Sequence, residues 1–403
     1  MRIYGAGGTS LGEEKDLEAV MLISDIQPWS GGTQKQAISL ANALQLQGVS
    51  LSLLDMQHRL RRTAGQRYAW FWPHSDMHGG VKVTHLPTLG CQPAWSFLGS
   101  FLIWAYIHHK RFQIIHAHGT ALGVVGALVG SLMRKKVVVK IPGMEAVQYL
   151  KGNTRSRRIR RWILMQYSDR LIAVSNDMAQ TLQAIGIHPE KIALIPNGVP
   201  CAEACGNADS IALKREWLGD AELPVVLYVG RLAEEKGVDR LLTVWASLRT
   251  SVEAVLLLVG DGPLKTDLDA MVQRLELQSS VRFLGPQEEV SKFYAMADLF
   301  VLPSRSEGMS NALLEAMVAG VPSIASDVGG NREVIQHAET GFLVNWEDSA
   351  ACADLLRDLL ADVHRRQGIA EAAKNRVREF ALPRVAERYR HLYHRLLQGE
   401  GSA

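Results

Sequence analysis

The sequence predicts an α/β protein with two doubly wound, Rossmann-like domains in series, each built on a largely parallel sheet. Three observations support this fold class. The 403 residues exceed the usual size of one hydrophobic core. Short apolar runs that suit buried strands alternate with helical stretches in both halves of the chain. Between residues 195 and 210, proline, asparagine, glycine and small residues interrupt this periodicity and predict a domain boundary.

The first half begins with a polar, glycine-rich segment, residues 1–18, which lacks the apolar core of a signal peptide. We expect it to be a loosely held extension. The first strand is predicted at residues 20–26. A loop with Gly31 and Gly32 and a helix from about Gln34 to Gln47 follow it. Five more strands are predicted in SLSLLDM, VKVTHL, FQIIHAHG, KVVVKIPG and RLIAVSN.

The second half repeats this alternation, with strands predicted in VVLYVG, AVLLLVG, VRFLG, LFVLPS, VPSIAS and GFLV. We therefore assign residues 19–198 to an N-terminal domain and residues 199–380 to a C-terminal domain. Residues 381–403 form a final amphipathic segment. Its apolar side chains recur at helical intervals: Val385, Tyr389, Leu392, Tyr393 and Leu396.

The composition, with 47% hydrophobic and 21% charged residues, is ordinary for a soluble globular enzyme. A net charge of +3 gives no overall signal for nucleic acid. The four cysteines have no CxxC or zinc spacing, so we expect reduced thiols in a cytoplasmic protein; Cys201 and Cys205 would bridge only in an oxidising setting. The apolar runs 97–107 and 121–133 are shorter than the roughly 20 residues that span a bilayer, and we expect buried helices there.

Two glutamates provide the main functional signal. Glu307 lies on a glycine-rich loop and Glu315 lies on the helix that follows it. Carboxylates accept hydrogen bonds from hydroxyls, whereas the free N–H groups of a helix N-terminus bind anionic oxygens. The pattern predicts a ligand with hydroxyl groups at both ends and a phosphate between them, and a nucleotide-sugar has this structure.

A second loop supplies cations for the phosphates. It follows the predicted strand at Val225–Val229 and carries Gly230, Arg231 and Lys236. Fixed cations in a low-dielectric cleft stabilise the charge that develops on a departing nucleoside diphosphate. We therefore expect no metal; a salt bridge from these cations to the neighbouring glutamates is the alternative.

In chain order, the segments GR…EEKG, VGDGP, FLG, ADLFVLPS and EGMSNALLEAMVAGVPSIASDVGGNREV resemble the retaining, GT-B-fold glycosyltransferases of family 4. The resemblance covers about residues 20–395. It implies two Rossmann-like domains facing across a cleft, with an acceptor-binding N-terminal domain, a nucleotide-sugar-binding C-terminal domain and a C-terminal helix that crosses back to the first.

The resemblance also implies a reaction. A sugar would pass from a UDP- or GDP-hexose type donor to a hydroxyl of a glycolipid, lipopolysaccharide or polysaccharide precursor at the cytoplasmic membrane face. Because no enzymatic nucleophile is evident, the acceptor hydroxyl would attack from the face of the leaving group, whose phosphate would take the proton.

The resemblance implies roles for individual residues of this chain, according to their positions in the matching motifs. Glu315 corresponds to the glutamate that holds the ribose hydroxyls, and Glu307 to the one near the donor sugar and its phosphate. With Arg231 and Lys236, Glu307 makes up the catalytic candidates. The other donor-binding candidates bring the backbone close to the ligand. Gly230, Gly308, Met309 and Ser310 would do so at the phosphates, and Gly31 and Gly32 at a phosphate or at the acceptor.

Two further segments match the family. Asn197, in the turn PNGV, lies at the interdomain position and is a candidate for sugar or acceptor contact. Gly329, Gly330 and Glu333, in DVGGNREV, match a loop on the donor side, where turn formation is the alternative.

One departure concerns the donor sugar. Many relatives carry a sugar-contacting histidine just after the strand that reads VVVKIPGM here, but this chain has Ile141 or Pro142 at that point. Candidates for the sugar or acceptor contact are Lys140, immediately before, and His116 and His118, at the end of the preceding strand. A buried histidine without such a role is the alternative.

Within the basic segment 151–163, residues 151–161 contain six cations and no acid, and Trp162 follows them. On a helix, Ile159, Trp162 and Ile163 share one face, which suits an interfacial helix on an anionic membrane. A solvated helix packed on its own domain is the alternative. Nucleic-acid binding is disfavoured because no aromatic stacking platform accompanies the charges.

Two other functions and one metal site are the alternative hypotheses. A catalytically inactive GT-B module that binds sugar nucleotides or acts as a scaffold would explain the missing histidine. A dinucleotide-dependent dehydrogenase would need GxGxxG after the first strand, where this chain has SGGT. The acidic triplet at residues 267–269 resembles a metal-binding motif, but its two aspartates diverge in a helix and we expect them to be solvated.

Overall fold

The computed structural model describes residues 17–24, 32–57, 74–87, 93–200, 214–215, 217, 223–248 and 251–399. Two sheets organise these residues. The eight strands of the first sheet are β1 (Glu18–Ser24), β2 (Ser50–Gln57), β3 (His74–His78), β4 (Val81–Pro87), β5 (Ile114–His118), β6 (Lys136–Lys140), β7 (Arg170–Ala173) and β8 (Ile192–Leu194). The six strands of the second are β9 (Val225–Val229), β10 (Val255–Val259), β11 (Val281–Gly285), β12 (Leu299–Leu302), β13 (Ser323–Ser326) and β14 (Phe342–Val344).

The strand orders are β3-β4-β2-β1-β5-β6-β7-β8 and β11-β10-β9-β12-β13-β14. All strand pairs are parallel except β3 with β4. Both sheets are central layers of an α/β sandwich, as their continuous apolar strands require. The predicted fold class, two parallel-sheet α/β domains, is confirmed.

Helices connect the strands. Those of the first half are Gly32–Leu46, Pro93–His108, Thr120–Met133, Met144–Gln148, Arg155–Tyr167 and Asn176–Ala184. Those of the second half are Val238–Leu248, Lys265–Arg274, Ser291–Met296, Asn311–Ala319, Asn331–Val334, Ser349–Ala361, Val363–Val377 and Leu382–Gln398. None of these described helices combines the length and apolarity needed to cross a bilayer.

Strand β1 illustrates how the first sheet is buried on both faces. Val20 and Leu22 pack with the helices Pro93–His108 and Thr120–Met133. Met21 and Ile23 point to the opposite face, where they pack with Gly32–Leu46 and the final helix. This alternation follows from the period of two along a strand.

The final helix, Leu382–Gln398, returns to the first sheet as predicted. All five of its predicted apolar side chains are buried in the cluster that contains Met21 and Leu40. The chain enters the helix beside Val199, whose N–H donates to the Phe380 carbonyl at 2.9 Å and whose carbonyl accepts from Leu382 at 3.0 Å. The exact limits of the two domains stay a prediction.

Some predictions differ from the structure. Strand β1 begins at Glu18, within the segment assigned to an extension, and residues 1–16 lie outside the described residues. The helix Pro93–His108 is only partly buried: Phe101 is inaccessible, whereas Ile103, Tyr106 and Ile107 are 66%, 73% and 68% exposed. One face of this helix is therefore buried and another is exposed, although both are apolar. The prediction of a buried helix was wrong for the exposed face. The run 121–133 forms a largely buried helix, as predicted.

Candidate active site

A cleft of about 1330 Å³ lies between the two halves and is lined by both. Most of the described site candidates line it: Gly32, His118, Lys140, Asn197, Gly230, Arg231, Lys236, Glu307, Gly308, Met309 and Ser310. His116 and Glu315 are described but are not among the lining residues. Gly31 lies outside the described residues. The carboxyl ends of parallel strands, where the loops of an α/β sheet bind ligands, therefore gather the predicted residues.

Glu307 and Lys236 form the centre of the C-terminal wall. The Lys236 ammonium lies 2.6 Å from Glu307 Oε1, and the Ser304 hydroxyl donates to the same oxygen at 2.7 Å. Glu307 is 7% exposed. Lys236 thus pairs with Glu307 and not with Glu234 or Glu235, the neighbours proposed in the salt-bridge alternative. Arg231 is exposed on the same wall.

The loop that carries Lys236 is fixed from below by Arg305. Its guanidinium donates to Asp239 Oδ1 at 2.8 Å and Oδ2 at 2.6 Å, and it also donates to the Glu234 carbonyl at 2.8 Å. The ion pair lowers the pKa of Asp239 through the hydrogen bond from Arg305. A bidentate contact between a guanidinium and a carboxylate fixes the orientation of the two groups as well as their distance.

The helix Asn311–Ala319 begins at the cleft. Ser310 caps it by accepting a hydrogen bond from the Leu313 N–H at 3.3 Å. Gly308, Met309 and Ser310 line the cleft just before it, so the positive end of the helix dipole faces the site. Met309 is 4% exposed and accepts a contact from the Asn197 N–H at its sulfur, which fits a packing role.

Gly329 and Gly330 support the Glu307 loop from behind. A Cβ on Gly329, which has a φ of +48°, would lie 1.9 Å from the Glu307 carbonyl oxygen. A Cβ on Gly330 would lie 2.0 Å from the Gly308 carbonyl oxygen. These glycines allow two backbone segments to touch, which corresponds to the structural alternative for DVGG.

Glu315 is held behind the cleft lining. Tyr294 donates to its Oε2 at 3.1 Å, and burial raises the pKa of the Glu315 carboxyl although that hydrogen bond opposes the shift. The Tyr294 ring is 3% exposed and its hydroxyl also reaches the Ala312 carbonyl at 3.1 Å. The geometry orients the carboxylate towards the first turn of the helix.

Asn197 and Asn311 join the two halves. The Asn197 side-chain amide donates to the Met309 carbonyl at 3.1 Å and to Asn311 Oδ1 at 2.9 Å. Asn311 in turn donates to the Gly32 carbonyl at 3.0 Å. Asn197 therefore has a structural role across the interface, in addition to lining the cleft. Glu333 makes another such contact, with the Asn176 N–H.

The two predicted histidines have different surroundings. His116 is buried and its Nδ1 is 2.6 Å from the Tyr393 hydroxyl of the final helix; burial lowers its pKa to about 3. This matches the alternative of a buried histidine outside the cleft lining. His118 does line the cleft, and burial lowers its pKa well below the ordinary value. Lys140 is 3% exposed beside them, and burial lowers its pKa to about 8.

Several cleft residues were not predicted. Glu145, from the first half, shares a side-chain hydrogen bond with Glu235, from the second; burial and this contact raise the pKa of Glu145. Lys35 and Thr120 line the N-terminal wall. Glu145 could not be identified from its own motif because its partner lies in the other half of the chain. Thr120 follows a strand and a glycine, which is a sequence signal for a helix start at a ligand site.

Two further clusters lie away from the donor residues, and only the first of them, the acidic triplet, was predicted. Asp267 and Asp269 lie on the helix Lys265–Arg274, where Asp267 is exposed and Asp269 pairs with Lys265. In the outer strands, His85 bridges Asp55 and Asp76 at 2.9 Å each, and His78 is 3.1 Å from Asp76. These contacts raise the pKa of His85 despite its burial.

The basic segment forms the helix Arg155–Tyr167. The predicted apolar face divides: Ile163 is buried, whereas Ile159 and Trp162 are 46% and 56% exposed beside the arginines. Arg160 and Tyr149 also line the cleft. An exposed apolar and cationic strip therefore lies next to one edge of the site.

Two family models match the chain in this order: "Glycosyltransferase Family 4" over residues 30–203 and "Glycosyl transferases group 1" over residues 209–376. The chain is 30% identical over 296 residues to N-acetyl-alpha-D-glucosaminyl L-malate synthase of Bacillus anthracis, which covers 72% of this chain and 77% of that protein. It is 28% identical over 258 residues to an Escherichia coli UDP-Gal:alpha-D-GlcNAc-diphosphoundecaprenol alpha-1,3-galactosyltransferase, with 61% and 66% coverage. The chain belongs to glycosyltransferase family 4.

Among solved structures, HepE of Anabaena in complex with UDP-glucose superposes with a TM-score of 0.78 at 20% identity, covering 95% of this chain and 100% of that chain. At that identity the similarity shows the fold, which is GT-B. The protein is therefore a GT-B glycosyltransferase.

Proposed function

We propose that the protein is a retaining glycosyltransferase that moves a hexose from a nucleotide-sugar, of the UDP or GDP type, to a hydroxyl of a glycolipid, lipopolysaccharide or polysaccharide precursor. The observation that carries the proposal is the cluster of Lys236, Glu307 and the capped start of the helix Asn311–Ala319 on one wall of the cleft.

The donor fits this wall by charge and hydrogen bonding. Arg231, Lys236 and the helix N-terminus would bind the diphosphate, and Glu315, with Tyr294 behind it, would accept hydrogen bonds from the ribose. Glu307 would accept from the sugar. The HepE structure with UDP-glucose supports a donor of this class, since it has the same fold.

Transfer would proceed with retention. The acceptor hydroxyl would attack the anomeric carbon on the face that the diphosphate leaves, and the departing phosphate oxygen would take the hydroxyl proton. Arg231 and Lys236 would stabilise the negative charge that grows on that oxygen, which is the role that fixed cations serve best in a low-dielectric site. With these cations we propose that the reaction needs no metal.

The acceptor would come from the cytoplasmic face of a membrane. The exposed strip of Ile159 and Trp162 among arginines suits peripheral contact with anionic lipid, and Arg160 connects it to the cleft. The Escherichia coli relative, named for a diphosphoundecaprenol substrate, supports a lipid-linked acceptor.

A screen of UDP-, GDP- and ADP-sugars without metal tests this proposal. We expect one donor to raise the melting temperature and to be hydrolysed slowly, and both effects to be lost in Arg231→Ala. Retention is then read from the anomeric configuration of a transferred product, since an inverted linkage would exclude the mechanism. Stabilisation without turnover, even with membrane extract, would favour an inactive sugar-nucleotide-binding module.

A further inference from the structure

The N-terminal wall of the cleft contains two buried basic side chains that have no acidic partner among the residues that the structure describes. Lys140 is 3% exposed and His118 is 4% exposed, and both line the cleft. They end the neighbouring strands β6 and β5 and are directly opposite each other in the sheet. Their side chains therefore leave the same face. Within the described part of the chain, neither nitrogen of the His118 ring has a hydrogen-bond partner.

Such an arrangement is costly in an empty cleft. A buried ammonium that lacks a counter-charge loses hydration without compensation. The low pKa of Lys140, about 8, reflects this burial. His118 and His116 add no further positive charge, because burial and the Lys140 ammonium lower their pKa values and keep both imidazoles neutral. An anion in front of Lys140 would remove the cost.

A helix N-terminus adds further anion-binding groups to the same space. The helix Thr120–Met133 is 14 residues long and starts immediately after His118 and Gly119. Thr120, Ala121 and Leu122, its first three residues, line the cleft. Backbone N–H groups of a first helical turn have no acceptor within the helix and carry the positive end of its dipole. The Gly119 N–H is not among them, because it donates to the Lys140 carbonyl at 2.9 Å.

We propose that Lys140, His118 and the first turn of the helix Thr120–Met133 form a subsite for a compact oxyanion, a phosphate or a carboxylate, carried by the acceptor. The acceptor is then an anionic molecule and not a neutral sugar. Only the assignment of this subsite to the acceptor rests on the proposed function. The anion-binding site itself is inferred from the geometry of this wall.

The donor diphosphate is not the natural occupant of this subsite. Arg231, Lys236 and the start of the helix Asn311–Ala319 already supply cations and N–H groups for it on the opposite wall. A second set of anion-binding groups across the same cleft fits a second substrate. Binding the acceptor by its anion would leave its hydroxyl free to point at the donor sugar.

Inorganic phosphate is the probe for this subsite. We would titrate it by calorimetry into the full-length protein, saturated with the nucleoside diphosphate found in the donor screen, at constant ionic strength. The variants are Lys140→Met, Lys140→Arg and the matched control Lys136→Met. Lys136 lies at the other end of the same strand, is 37% exposed and pairs with Asp169.

We expect phosphate to bind the wild type and Lys136→Met equally, Lys140→Arg within about threefold, and Lys140→Met at least about tenfold more weakly. Nucleoside diphosphate affinity should change less than about twofold in all variants. Equal phosphate affinity in the wild type and Lys140→Met would overturn the proposal. So would phosphate binding that is seen only without the nucleoside diphosphate, because that result would assign the anion to the donor site.

Two further comparisons identify the anion that the subsite binds and distinguish a failure of the subsite from a failure of the proposed function. Acetate and phosphate titrations, compared under the same conditions, tell a carboxylate subsite from a phosphate subsite, and tight binding of either supports the proposal. If no nucleoside diphosphate binds at all, the proposed function fails, but the phosphate difference between the wild type and Lys140→Met still tests the subsite.

Discussion

The Lys236 ammonium lies 2.6 Å from Glu307 Oε1, although the two residues are 71 positions apart in the chain. Glu307 holds the ammonium at the cleft wall before any ligand arrives, and Ser304 shares the same carboxylate oxygen. A cation fixed in this way needs little reorganisation when a phosphate develops charge. The pair therefore joins the sugar end and the phosphate end of the proposed donor site.

Lys236→Met should lower kcat by about 10²- to 10³-fold, because it removes one fixed cation that stabilises the leaving group. The KM for the donor should change much less, since the cation acts mostly in the transition state. Lys265→Met is the control: Lys265 pairs with Asp269 on a helix outside the cleft lining. A drop in kcat of less than threefold would remove Lys236 from the mechanism.

Glu315→Ala should weaken nucleotide binding about 10- to 100-fold, because hydrogen bonds to a charged group contribute about 1.5–3 kcal/mol. Calorimetry with the nucleoside diphosphate measures this change. Glu371→Ala, on the exposed face of the helix Val363–Val377, should leave affinity unaltered. Since burial raises the pKa of Glu315, wild-type affinity should also fall on acidification at a higher pH than an exposed glutamate would give. Equal loss in both variants would contradict the assignment.

Gly329→Ala should destabilise the protein by about 2 kcal/mol or more and lower activity, because the new Cβ would meet the Glu307 carbonyl and the φ of +48° disfavours alanine. Gly368→Ala is the matched control. It lies in the helix Val363–Val377, where a Cβ meets nothing within 4 Å, and should stabilise by about 0.5–1 kcal/mol. Urea unfolding gives both values; a neutral Gly329→Ala would mean that the loop is not braced by this contact.

Lys140→Met should stabilise the ligand-free protein at pH 7. The folded-state pKa of about 8 lies below the ordinary 10.5, and the shift corresponds to about 3 kcal/mol of unfavourable free energy. Because the unfolded chain binds the proton more tightly, wild-type stability should rise as the pH increases from 8 to 10.5. The variant should lack this rise. Thermal unfolding across that range measures it, and parallel curves would show that Lys140 is not buried as a charge.

Trp162→Ser should reduce binding to anionic phospholipid vesicles about tenfold, because the indole is half-exposed among cations that favour an anionic surface. Leu46→Ser is the control, since Leu46 is 84% exposed on a helix of the opposite face of the sheet. Sedimentation with vesicles provides the measurement. Unchanged binding, or binding equal on neutral vesicles, would argue for the solvated-helix alternative.

The fold could be predicted because most of its strands are apolar runs buried on both faces. Strand β3, His74–His78, was missed because it is polar and lies at the sheet edge, where burial imposes no apolar pattern. Strand β8, Ile192–Leu194, was missed at the other edge because it has only three residues.

The candidate site was also predicted only in part. Residues 307–310 were predicted because their motif is contiguous and each residue sits on one loop. The pairing of Lys236 with Glu307 and the contact of Glu145 with Glu235 depend on tertiary packing, which spacing does not reveal. His116 was a candidate for ligand contact, but Tyr393, 277 positions later, takes its Nδ1.

The return of the final helix to the first sheet also affects biosynthesis. Tyr389 and Tyr393 are inaccessible within the core of the first half, next to Met21 and Leu40. These tyrosines are translated only after the whole second sheet, whereas domains usually fold in order as they leave the ribosome. The half that emerges first therefore cannot close its core until the final helix has also emerged, and nascent chains that lack this helix would expose that apolar surface to chaperones.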